Sequence, residues 1–354
     1  VTPLTDLLMR RIAATGPITL ADYMAECLLH PAHGYYATRD PFGAGGDFTT
    51  APEISQMFGE MLGLFLAQVW MDQGRPAPFT LAEPGPGRGT LMADILRATA
   101  KVPGFHDAAR VHLIEASATL REAQRDRLAA HAVTWADSIA ALPEAPLFLV
   151  ANEFFDALPI RQFQRDSAGW REVQVAQDGQ RLTFALGAPA PLAALDHRLA
   201  DTRPGDVVEL CPAAAPMIGE IARRIARHGG TALIIDYGGW RSLGDTLQAL
   251  RAHLPVDPLS HSGEADLTAH VDFEALARAA TGVAHTNLTP QGVFLERLGI
   301  TARAQALAGA LSGTALENHI AAHRRLTHPQ EMGTLFKIIA LTPKGSAPPP
   351  GFTP

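Results

Sequence analysis

The stretch Phe79-Thr80-Leu81-Ala82-Glu83-Pro84-Gly85-Pro86-Gly87-Arg88-Gly89-Thr90 ends a short apolar run in an acid and then places three glycines at alternate positions. Glycines so spaced let a chain turn tightly and let its backbone approach a ligand closely. Two common nucleotide-binding patterns fail here. A dinucleotide fingerprint, G-x-G-x-x-G, meets Thr90 where its third glycine belongs, and a phosphate loop, G-x-x-x-x-G-K-[ST], finds no lysine. The spacing E-x-G-x-G-x-G suits S-adenosylmethionine instead, a cofactor with no phosphate to neutralise. Glu83, Gly85, Gly87 and Gly89 are therefore the expected cofactor loop.

The next apolar run, Val111 to Ile114, ends in Glu115, where a ribose would lie beside the glycine loop. One carboxylate can accept hydrogen bonds from both ribose hydroxyls. One run further on, Asp137 and Ser138 stand where an adenine amino group would be bound. Leu147 to Ala151 leads straight into Asn152, Glu153, Phe154, Phe155 and Asp156. Methyl transfer from a sulfonium is an in-line displacement, so catalysis is chiefly positioning of the acceptor. A guanidinium stays protonated at neutral pH, and a carboxylate can hold it bidentately. Glu153 fits that role, with Asp156 or Glu53 as a second clamp and Asn152 beside the cofactor. His270 is a candidate proton acceptor or partner to a carboxylate. Asp236-Tyr237-Gly238 ends another apolar run and is placed to line the acceptor pocket. Nothing in this chemistry calls for a metal.

These residues need a sheet to hold them. From Phe79 the texture alternates: apolar runs at 79–83, 111–115, 147–151 and 231–236, a weaker one at 132–135, and helical patterns at 90–100 and 117–130 between them. Such alternation marks βαβ units and a parallel sheet, in which ligands gather at the carboxyl ends of the strands. The fold class expected is α/β, a Rossmann-like sheet. Residues 161–187 break the rhythm, with polar–apolar alternation and two hairpin turn signals, and predict an antiparallel β insertion. Helices are expected over 4–15, started by Thr2 and Pro3, over 19–28 with Thr19 as cap, and from Glu53 to Gln73. The loop from His30 to Pro52 is long, glycine-rich and aromatic, and reads as a lid. The C-terminal third reads as mostly helical to about residue 326, with a last strand over 335–342 and a flexible tail. The division expected is 1–75 for N-terminal helices and lid, 76–160 with 205–342 for the core, 161–204 for the insertion and 343–354 for the tail.

Composition narrows the classes. The chain has 354 residues, 47% hydrophobic and 18% charged, with a net charge of -7. That balance argues against nucleic acid as the main partner. Two cysteines, Cys27 and Cys211, make neither a disulfide framework nor a metal spacing. The apolar run Met61 to Met71 is about half of the roughly 20 residues a membrane span needs. No signal peptide is visible. A bacterial cytoplasm, or a mitochondrial matrix after removal of a targeting peptide, is the expected compartment.

The acid–aromatic run at 152–156 resembles the S-E-W-M-G segment of arginine methyltransferases, and less closely the N-P-P-Y of methyltransferases acting on amide or adenine nitrogens. Taken with GPITLADYM, HPAHGYY, GDFTTAPEISQMFGE, EPGPGRGTL, NEFFDALP, IIDYG, ADLTAHVDF, QGVFL and MGTLFK, the chain resembles the MidA family. This family comprises the mitochondrial complex I assembly methyltransferases and their bacterial relatives. The resemblance implies a class I methyltransferase core with extra helices, and symmetric dimethylation of an arginine on a respiratory complex I subunit during assembly. It matches Gly85, Gly87 and Gly89 to the cofactor loop, Glu115 to the ribose-binding acid, and Gly46 to Glu53 to a lid signature. Cys211 departs from the family's usual serine. Three other readings stay open: an amide nitrogen or small-molecule acceptor, a cofactor-binding assembly chaperone without significant turnover, and a nicotinamide dehydrogenase. A homodimer also stays open.

Overall fold

The computed structural model describes residues 2–38 and 50–353. Asp47 lies outside these residues, with the rest of 39–49 in the expected lid loop. Two helices open the chain, α1 (Pro3–Thr15) and α2 (Leu20–Leu29). Each starts where the sequence marks it: Thr2 Oγ1 accepts the N–H of Thr5 at 3.1 Å, and Thr19 Oγ1 accepts that of Asp22 at 3.0 Å. The helix expected from Glu53 to Gln73 is instead two, α3 (Ala51–Ile54) and α4 (Gln56–Asp72). Ser55 breaks it by adopting extended backbone and capping Met57 with its side chain.

The central sheet contains β1 (Phe79–Pro84), β2 (Ala109–Ile114), β3 (Val133–Ala136), β4 (Leu147–Asn152), β5 (Gly230–Gly239) and β6 (Phe336–Thr342). Their spatial order is β3-β2-β1-β4-β5-β6, parallel except for β6, with short strands at the far edge. The order reverses between β1 and β4, and the crevice at such a switch point is where doubly wound sheets bind ligands.

Strand pleating sorts the side chains into two cores. Leu81, Leu113, Phe148, Val150, Leu233 and Ile235 meet α4, α5 (Thr90–Thr99) and the helices α9 (Gln291–Leu298), α10 (Ile300–Ala308) and α11 (Gly313–Thr327). Ala82, Leu147, Leu149, Ala151, Ala232 and Ile234 meet α7 (Ala214–His228) and α8 (Phe273–Ala279) on the other face, while α6 (Ala118–Arg127) joins β2 to β3. Both faces of the strands are covered, which is why they read as continuous apolar runs.

The antiparallel insertion forms as expected, from Arg161–Asp166, Gly169–Asp178 and Arg181–Leu186. Its sheet also takes in Val207–Leu210 and, on the opposite edge, Ile18–Thr19 next to α2. Two readings of the C-terminal third differ from the structure. A small sheet of Gln248–Arg251, Leu254–Val256 and Asp266–Thr268 stands where helix was expected. These strands are too short for period-two alternation to show. The expected flexible tail docks: Phe352 is buried against Phe294 and Phe65. A lone aromatic after prolines gives no periodic signal. No helix among the described residues is long and apolar enough to cross a membrane.

Candidate functional site

The glycine loop lies in the crevice between β1 and β4. Gly85, Gly87 and Gly89 have φ of +62°, +53° and +77°, backbone that favours glycine. At Gly85 the space matters too, since a Cβ would stand 2.9 Å from Phe154 Cδ2. Glu83, on the last turn of β1, is 3% exposed. Its carboxylate accepts the main-chain N–H of Met92, yet Oε2 has no partner among the described residues, and burial pushes its pKa up to about 8.

Glu115, just past β2, is half-buried and accepts the N–H of Ser117 at 2.8 Å and Gln124 Nε2 at 3.2 Å. Burial raises its pKa. Gln124 was not singled out by the sequence, and nothing local marks it. It is fully buried on α6, donates to the Gly87 carbonyl at 2.6 Å and accepts from Trp135 Nε1 at 2.7 Å. One amide thereby fixes the glycine loop against the expected ribose acid. Asp137 and Ser138 are exposed at the end of β3, and Asp137 accepts from Arg121 Nη2 at 2.9 Å.

At the end of β4 the sheet brings three carboxylates together. Glu153 sits at φ +50°, rare for a residue with a Cβ. Its Oε1 accepts the N–H of Ala51 and Asn152 Nδ2, each at 3.2 Å. Burial and the nearby Asp156 push its pKa up to about 7. Asp156 is buried and bonded by the Tyr237 side chain, its Oδ1 has no partner among the described residues, and its pKa is pushed by burial to about 6. Asp236, in β5 one residue past its pairing with β4, is fully buried beside both, and burial drives its pKa well up. Asn152 Oδ1 is likewise buried without a partner among the described residues.

Two expected residues take other partners. Glu53, on α3, accepts a hydrogen bond from Thr90 Oγ1, the first residue after the glycine loop, and lines the same cleft as Glu153. His270 is exposed, its ring edge-on to Tyr237 at 5.5 Å, and its main-chain N–H donates to Thr246 Oγ1. Partial desolvation of the ring and the nearby Lys337 lower its pKa. Its ring meets Tyr237, whose side chain bonds Asp156.

Glu53, Glu83, Gly85, Gly87, Arg88, Thr90, Asn152 and Glu153 line one cleft. Unpartnered buried oxygens on Glu83 and Asn152 are acceptors in want of donors, and left unmatched they are costly. An ammonium group and ribose hydroxyls are such donors, so this lining fits an adenosyl amino-acid cofactor.

The model of a family of S-adenosyl-L-methionine-dependent methyltransferases matches residues 61–292. The chain belongs to this family. The resemblance read from its motifs thus holds, and with it the α/β fold, the cofactor S-adenosylmethionine and methyltransferase activity. A Rattus norvegicus protein named protein arginine methyltransferase NDUFAF7, mitochondrial, is 40% identical over 97% of this chain and 85% of its own length. The Homo sapiens protein of that name is 39% identical over 97% of this chain and 84% of its own. A crystal structure from Burkholderia thailandensis with bound S-adenosyl-homocysteine is similar at a TM-score of 0.82 and 31% identity, covering 98% of this chain and 93% of that one.

Proposed function

We propose that the chain methylates an arginine of a protein substrate, with Glu153 as the acceptor-holding carboxylate. The observation that carries this reading is a carboxylate beside the cofactor cleft, turned by a rare backbone conformation and held by Ala51 and Asn152. The printed names of the relatives support the arginine, and the family resemblance supports a respiratory complex I subunit as the client.

When bound, S-adenosylmethionine supplies an electrophilic methyl group on a sulfonium. Glu83 would take its ammonium group, Gly85, Gly87 and Gly89 would admit it closely, and Glu115 would take the ribose hydroxyls. Asp137 and Ser138 would lie toward the adenine and Asn152 toward the methionine portion. Glu153 would hold the guanidinium and orient one nitrogen for the methyl group, while Asp156 supplies the second negative charge. The nitrogen that accepts the methyl group sheds one proton. Glu153 and Asp156 titrate near neutrality and can receive it. In this reading Glu53 positions the loop through Thr90, and His270 acts on Asp156 through Tyr237.

The experiment is Glu153→Gln, with transfer followed from labelled S-adenosylmethionine into an extract of cells lacking the chain. Transfer should fall at least about a hundredfold, the scale of a lost acid–base group, with S-adenosylhomocysteine affinity retained. Retained transfer would remove Glu153 from the mechanism. Client binding without transfer by the unmutated chain would favour an assembly chaperone.

A further inference from the structure

We infer that Asp236 is a positioning residue for methyl transfer: its carboxylate holds the turn that presents Glu153. The inference rests on the reading of Glu153 given above.

The strand ladder carries the chain only part of the way. β4 pairs with β5 up to Asn152 opposite Ile235, and the N–H of Glu153 continues the pattern by donating to the Ile235 carbonyl at 2.9 Å. There the chain turns through φ +50° at Glu153, and the ladder stops. The N–H groups of Phe155 and Asp156 then lie buried past the end of the sheet, where an unpaired donor is costly.

Asp236 Oδ2 accepts both, at 3.0 and 3.2 Å, while Oδ1 accepts the N–H of Tyr237 at 3.0 Å. One side chain of β5, just past its pairing with β4, therefore replaces the missing strand partner for two residues of β4's continuation. Downstream, the Asp156 carbonyl accepts from the N–H of Ala269 at 3.0 Å, so the turn is anchored at both ends. An αL conformation at a glutamate persists only where its surroundings over-determine it, and these bonds do so.

The chemistry of the side chain is restrictive. Asparagine offers one acceptor oxygen and turns an N–H₂ toward a main-chain donor, and glutamate is a methylene too long for this fully buried place. The hydrogen bonds Asp236 makes are to main-chain N–H groups, and it acts through the turn that carries Glu153 and Asp156.

The test uses the full chain and Asp236→Asn. The initial rate into the extract, at saturating S-adenosylmethionine, should fall about tenfold or more, as for one lost charge-assisted hydrogen bond. The KM for S-adenosylmethionine and the affinity for S-adenosylhomocysteine should stay within about threefold, since the cofactor loop is untouched. An unchanged rate, or rate and cofactor affinity falling together, would overturn the inference. A measurement on the unmutated chain stands apart from the variant's folding: hydrogen exchange at the amides of Phe155 and Asp156 should be slow, and exchange as fast as in an open loop would also overturn it. If Glu153→Gln is inactive while Asp236→Asn is fully active, the positioning role alone fails. If Glu153→Gln is fully active, the underlying reading fails.

Discussion

The main-chain N–H of Ala51 donates to Glu153 Oε1 at 3.2 Å, tying the first turn of α3 to the carboxylate at the end of β4. The bond joins residues about a hundred positions apart and sets the acceptor side of the cleft against the N-terminal segment. It also makes Glu153→Gln an informative substitution for stability. Glutamine keeps the accepting oxygen and removes a half-buried charge whose pKa burial and Asp156 push up to about 7. At pH 8 the variant should melt at or above the temperature of the unmutated chain while losing transfer. A clear fall in Tm would mean that the carboxylate is a structural brace.

Glu115 and Asp137 separate a buried contact from an exposed one. Glu115 is fixed by Ser117 and Gln124, whereas the side chain of Asp137 is 92% exposed and pairs with Arg121. Glu115→Ala should weaken S-adenosylhomocysteine binding about tenfold to a hundredfold, the worth of one hydrogen-bonded charge. Asp137→Ala should change it by about twofold or less, as expected of an exposed pair. Calorimetric titration measures both, and the reverse order would reassign the ribose and adenine ends.

The proposed cofactor half of this site is legible in the sequence because its parts are local. Glycines 85, 87 and 89 adjoin one strand end, and Glu115 closes the next. The acceptor half is assembled across distance: Asp236 comes from β5, Tyr237 beside it bonds Asp156, and Ala51 comes from before the sheet. Asp236 was visible as a polar end to an apolar run, but its two N–H partners were not. Gln124 left no trace, since a glutamine in a helix is ordinarily surface. The central strands were legible from burial on both faces, and the strands at 248–268 were too short to be.

Proton linkage gives a signed prediction. Glu83 and Glu153 titrate near 8 and 7 in the folded chain, against about 4.3 unfolded. A carboxyl with a raised folded pKa contributes stability in full below the unfolded value and loses it as pH rises through the folded one. The cofactor-free chain should therefore lose stability between about pH 4 and pH 8. Glu274, held to about 2 by Arg241, works the other way, and its contribution is lost as pH falls below the unfolded value. Binding a cation beside Glu83 releases its proton, so S-adenosylmethionine titrated at pH 7 should give different enthalpies in phosphate and Tris. Equal enthalpies would mean that Glu83 is already ionised.

Phe352 closes the aromatic cluster with Phe294 and Phe65 near the end of the chain. Phe352→Ala should cost about 3 kcal/mol, as for a buried aromatic removed from a packed core. Urea denaturation measures it. A change under about 0.5 kcal/mol, the scale of a surface substitution, would return the segment to a loose tail.

In the proposed function this cleft and Glu153 direct a methyl group to arginine. The most direct measurement is mass spectrometry of an extract from cells lacking the chain, after incubation with the purified protein and S-adenosylmethionine carrying a heavy methyl. The account predicts heavy methyl on arginine guanidino nitrogens of a discrete protein, and none with Glu153→Gln. Heavy methyl on an amide nitrogen or only on small molecules, or undiminished arginine labelling by Glu153→Gln, would contradict it.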